Sequence, residues 1–226
     1  MFASLALPLA LLMTQQQAIA DRLAGRVPPD IAALATELGT DAARRGLPID
    51  PIIQKAIEGS AKRVPAERVG AAMRLVVTQL DAAAGGLRDG NAVLSADTVA
   101  IAAGAFALTA GLSGRDIATL ARSGSPPAEV IVGLRVAGTL VALGVPASET
   151  VTLVTGTLQA GRPAGELLAL PGRVQAEVSK GVTPAQAAAG LARAAAAQSR
   201  RGPPPGRGQP PPHPAPPPHP APPPHP

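Results

Sequence analysis

Cysteine, tryptophan and tyrosine are absent from this 226-residue chain, and its two phenylalanines are Phe2 and Phe106. Without cysteine there is no disulfide, no thiol nucleophile and no thiolate-bound metal. The three histidines fall at His213, His219 and His225, so residues 21–201 hold none. That removes Ser-His-Asp and Cys-His arrangements, His-ligated metals and tyrosine acid–base roles from this region. A phosphate-cradling loop is missing as well, since Thr155-Gly156-Thr157 is not followed by the Gly-Lys-Ser/Thr that would hold a nucleotide. Paired carboxylates are the one hydrolytic chemistry left open, with 15 acids to draw on. Sugar-cleaving sites of that kind normally present aromatic platforms, and none is available here. The sequence therefore assigns no catalytic residue, no cofactor and no metal ligand.

What remains is 46% hydrophobic and rich in Ala, Leu and Val. Ala and Leu are strong helix formers, whereas strands would draw on more β-branched and aromatic residues. No run alternates with period two between hairpin turns. Apolar stripes at helical spacing are plain instead: Ile31, Leu34 and Leu38; Val69, Met73, Val76 and Leu80; Val130, Leu134, Ala137 and Val141. The fold class expected is all-α.

A helix-stop and helix-start signal recurs along the chain. Gly, then Leu or Val, then Pro, Ser or Thr occurs at Gly46-Leu47-Pro48, Gly111-Leu112-Ser113, Gly144-Val145-Pro146 and Gly181-Val182-Thr183. Gly accepts the left-handed turn that ends one helix, and the next residues open another. Ser113 with Asp116 and Thr183 with Gln186 have capping-box spacing. A second set of starts falls between, at Val64-Pro65, Leu94-Ser95, Ser125-Pro126 and Arg162-Pro163. The glycines are 65, 33 and 37 residues apart, so a degenerate copy of the signal is expected near Leu80-Asp81. The chain reads as short helices in degenerate hairpin repeats, forming either an irregular solenoid or a compact bundle.

Both ends differ from this middle. Residues 2–13, FASLALPLALLM, form an apolar run too short to span a bilayer as a helix. Ala18-Ile19-Ala20 then supplies the small-x-small pattern of a signal peptidase site, although no Lys or Arg precedes the run. The expectation is a signal peptide over 1–20, a helical domain over 21–201 and an exported, periplasmic or extracellular, product. No transmembrane span is expected in the mature chain. Residues 202–226 hold 15 of the 27 prolines and repeat PPPHPA. Such a segment is expected to be disordered and extended, with its histidines about 19 Å apart, too far to share a metal on one extended chain.

The formal charge is +5, from 20 Lys+Arg against 15 Asp+Glu. The basic residues are scattered, which argues against nucleic acid or another anionic polymer as the partner but keeps it as the rival reading. A hydrolase with paired carboxylates is a second rival. The densest polar stretch runs from Gln54 to Arg63. There Glu58 and Lys62 stand i, i+4 with the acid first, the favourable order for an ion pair on a helix surface. The bland reading is a solvated helix face. The functional one is a contact patch of Lys55, Glu58, Lys62 and Arg68 for an unidentified macromolecular partner.

The segments GLPIDPIIQKAIEGSAKRVPAERVGAAM, GVPASETVTLVTGTLQAGRPAGELLAL and VQAEVSKGVTPAQAA resemble a family of exported bacterial proteins with no assigned activity. The shared stretch is matched by Lys55, Glu58, Gly59 and Lys62, and the likeness covers roughly residues 44–195. It implies export and helicity and no chemistry. The reading that follows is a non-catalytic exported helical protein, binding another macromolecule or structural in the envelope.

Overall fold

A computed structural model describes residues 16–200, and the apolar run 2–13 and the Pro/His tail 202–226 lie outside it. Every regular element among the described residues is a helix, with no strand among them. Helix α1 spans residues 16–23. Then come α2 (Pro29–Arg44), α3 (Asp50–Ala61), α4 (Ala66–Gly90), a 3₁₀ turn (Leu94–Ala96), α5 (Thr98–Ala110), α6 (Gly114–Ala121), α7 (Pro127–Ala142), α8 (Ala147–Gln159), α9 (Ala164–Val178) and α10 (Pro184–Arg200).

Helix ends fall where the backbone chemistry requires them. At Gly144, φ is +87°, and the following Val145 N–H bonds back to the Leu140 carbonyl at 3.1 Å, closing α7. Gly46, Gly111 and Gly181 occupy the same left-handed region. Pro65, Pro126, Pro146 and Pro163 are the N-caps of α4, α7, α8 and α9. Ser113 and Asp116 form a reciprocal capping box on α6, as do Thr183 and Gln186 at the start of α10.

The expected break near Leu80-Asp81 does not exist. Helix α4 runs unbroken for 25 residues. Between Ala66 and Ala84 it contains no proline, and Gly70, its single glycine there, lies in its second turn. Leu80 is fully buried, and Asp81 is bridged by Arg45 from the end of α2. The long interval between Gly46 and Gly111 therefore reflects one long helix rather than a hidden turn.

Packing links second neighbours as well as adjacent helices. Helix α4 packs on α6, α6 on α8 and α8 on α10, while α5 packs on α7 and α7 on α9. The pair α4 and α6 runs parallel at close range. A Cβ on Gly86 would lie 2.7 Å from the Gly114 carbonyl oxygen, and one on Gly90 would lie 2.5 Å from that of Ala118. The pair α5 and α7 is likewise parallel, because Gly138 faces Ala107 and Gly111 faces Val141. Small residues thus bring helix backbones close together, and Leu and Ile fill what is left: Ile52, Leu80, Leu87, Leu94, Ile117 and Leu134 are among the fully buried side chains. Helix α5, the uncharged segment, is buried on most sides, and Arg135 in α7 points to solvent.

Helix α1 belongs to this core. Ile19 and Leu23 are both 0% exposed. The helix crosses the bond after Ala20: the Ala24 N–H donates to the Ala20 carbonyl at 3.0 Å, and Gln17 donates to the Asp21 carboxylate at 2.9 Å.

Candidate functional site

Three of the four residues singled out in the sequence come together on α3. With i, i+3 and i, i+4 spacing, Lys55 and Lys62 flank Glu58 on one helix face. The Lys55 ammonium donates to Glu58 Oε2 at 3.1 Å, and that of Lys62 donates to Oε1. The Lys62 hydrogen bond, reinforced by that of Lys55, holds the Glu58 carboxyl below its usual range. Arg68 does not join them. It lies exposed on the first turn of α4, outside the ion pairs that clasp Glu58.

Glu58 also lines an open groove of about 530 Å³ between α1 and α3. Arg22 and Arg26, just after the small-x-small motif, form one wall. Asp50, Gln54 and Glu58 form the other, and Ile53 and Ile57 the floor. Asp50 reaches across to Arg22 at 2.7 Å. No carboxylate of the described residues stands within ion-pair distance of Arg26.

The groove's polar groups have no acid–base arrangement. Asp50 and Glu58 are eight positions apart on one helix, about 12 Å along its axis, beyond the separation a carboxylate pair needs to act on one bond. Each is already engaged by a cation. Among the described residues, no group of three His, Cys, Asp or Glu could hold a metal ion.

A smaller cleft of about 60 Å³ lies between α8, α9 and α10, lined by Thr157, Arg162, Glu166 and Arg173 over Leu153 and Leu170. Arg162 and Glu166 are 3.6 Å apart there. On α8, the Ser148 hydroxyl donates to Glu149 at 2.6 Å and lowers that carboxyl's pKa. The hydroxyls of Ser60, Thr150 and Thr155 are buried with no hydrogen-bond partner among the described residues.

Sequence reasoning missed Arg22 and Arg26, which lie just after the domain boundary expected at residue 20 and so were not considered with α3. Their i, i+4 spacing was the available signal. It also missed Arg63, the one non-glycine residue with positive φ (55°) among those described. No helix of the described residues is long and apolar enough to cross a membrane. No family model matches the chain, and no curated protein or solved structure is found to match it.

Proposed function

We propose that this chain is a non-catalytic, exported helical protein that binds a macromolecular partner, and that the groove between α1 and α3 is its contact surface. The observation that carries the reading is a solvent-open groove with an Ile53–Ile57 floor beneath charged walls, in which every carboxylate is neutralised by a neighbouring cation. A floor of this kind supports recognition, and walls without a nucleophile, a metal site or a matched acid pair do not support turnover. Stacked helical hairpins suit such a role, since their packing builds a rigid body that presents grooves between helices.

The rival reading, a basic protein for nucleic acid, is weakened by ion pairing of Arg22, Arg45, Lys55, Lys62 and Lys180 with carboxylates. These pairs break the continuous cationic face that phosphate backbones require.

Export and processing need a specific form here. Cleavage after Ala20 would take Ile19 out of the core, so the form of export that fits keeps the chain from residue 16 onward. Intact mass of the protein from fractionated Gram-negative cells tests both parts. A periplasmic species retaining Ile19 supports the reading. A stable periplasmic species beginning at Asp21 refutes the structural role of Ile19, and a cytoplasmic full-length species refutes export.

A further inference from the structure

The small-x-small motif Ala18-Ile19-Ala20 lies within α1, and the helix dictates where its three side chains point. Ile19 is 0% exposed, while Ala18 and Ala20 are exposed on either side of it. Residues two apart on a helix diverge by roughly 200°. In an extended chain the same two side chains share one face, and the residue between them takes the other. A signal peptidase reads small side chains at alternate positions. Only the extended chain presents Ala18 and Ala20 side by side.

The bond after Ala20 is held by its surroundings as well. The Ala20 carbonyl accepts from the Ala24 N–H at 3.0 Å, and the Gln17 side chain reaches across the bond to Asp21 at 2.9 Å. Beyond it, Arg22 bridges to Asp50 at 2.7 Å and Leu23 is 0% exposed. Ile19 itself sits over Gly39, where a Cβ would stand 3.1 Å from its Cδ1. Straightening residues 18–21 for a peptidase breaks the turn and pulls Ile19 out of the core. The two states of the motif exclude each other.

Resting on the reading of this chain as exported, we propose that docking of α1 gates cleavage after Ala20. The bond is cut in a chain whose α1 is undocked, and a chain whose α1 has docked keeps its N-terminal segment. The gated step is hydrolysis by an external signal peptidase. Water oxygen adds to the Ala20 carbonyl carbon, the C–N bond to Asp21 breaks, and the Asp21 nitrogen takes a proton and leaves as the new amino terminus. Folding cannot undo the cut, because Ile19 departs with the N-terminal piece. The order of two events, docking and cleavage, thus decides which of two products forms. Ile19, the unread middle position of the motif, and Gly39, which makes room for it, set the gate.

The test incubates the purified full chain with purified bacterial signal peptidase in mild detergent and follows intact mass. Gly39→Leu fills the space of Ile19 without touching the motif. Ile19→Ala empties the same space and leaves Ala18 and Ala20 in place. Gly90→Ala weakens the contact between α4 and α6, away from α1. Proteolysis of a transiently opened segment follows the population of the open form. The expected result is that the parent chain stays uncut and both α1 variants yield a product beginning at Asp21 about ten-fold faster or more, while Gly90→Ala behaves as the parent.

A parent chain cut as fast as Gly39→Leu and Ile19→Ala overturns the gate. Equal acceleration by Gly90→Ala overturns it in favour of cleavage through global unfolding. Absence of cleavage in every variant overturns it too, because the motif is then no processing site. Each outcome is read from purified components, so it stands apart from whether cells export the chain.

Discussion

Ile19 fits the space that Gly39 leaves empty: a Cβ on Gly39 would stand 3.1 Å from Ile19 Cδ1. The missing side chain on α2 and the buried one on α1 are complementary, and they tie residues 16–23 to the rest of the molecule. Replacing a fully buried Ile by Ala removes its apolar burial and leaves a cavity. We expect Ile19→Ala to lower the unfolding free energy by about 3 kcal/mol in urea titrations. A chain beginning at Asp21 should lose at least as much. An unchanged midpoint for either would mean that α1 contributes nothing to the core.

Two glycines in α4 should respond oppositely to the same change. At Gly90 a Cβ would sit 2.5 Å from the Ala118 carbonyl oxygen and 2.6 Å from the Ala121 Cβ. Backbone cannot yield as a side chain does, so Gly90→Ala should destabilise by about 2 kcal/mol. Nothing lies within 4 Å of a Cβ at Gly85. There the same substitution gains helix propensity and should stabilise by about 0.5–1 kcal/mol. Thermal denaturation of the two variants side by side reads the sign of each.

Arg63→Gly relieves a left-handed non-glycine residue and should raise stability by about 1 kcal/mol. Thermal denaturation of the variant beside the parent chain reads the change.

Glu58 should titrate below its ordinary value of 4.5, chiefly through Lys62. A depressed carboxyl contributes stability that is present above that ordinary value and is lost as pH falls through its folded-state value. Carboxyl-detected NMR titration should show the low pKa and its recovery toward normal in Lys62→Met. Because the pair is exposed, the melting temperature of that variant should scarcely move.

Much of the helix pattern was legible because it rests on local chemistry. Gly46, Gly111, Gly144 and Gly181, the prolines that cap α4, α7, α8 and α9, and the boxes at Ser113 and Thr183 act within a few residues of themselves. The stripes through Val69, Met73 and Leu80 likewise mark the buried face of α4. The expected turn at Leu80-Asp81 failed because regular spacing was extrapolated into a stretch with no stop signal. Arg63 went unread because its turn lacks the glycine that marks the others. On α3, Lys55, Glu58 and Lys62 were legible as neighbours on one helix face. Arg68 was grouped with them by sequence proximity, yet a turn and a change of helix axis intervene. The far wall, Arg22 and Arg26, depends on how α1 lies against α3. Bonds such as Arg22–Asp50 and Arg45–Asp81 are of this tertiary kind, which no local pattern carries.

Phe106 is half-exposed on α5, and its ring lies over Gly138 of α7, where a Cβ would come within 2.6 Å of Cε1. No other aromatic ring exists among the described residues. Every through-space magnetic effect of a ring in this region therefore has one source. The Gly138 α-protons should be displaced from their random-coil shift when α5 and α7 are docked, and should return to it when they part. One glycine signal in a proton spectrum would then report whether the centre of the helical stack is closed.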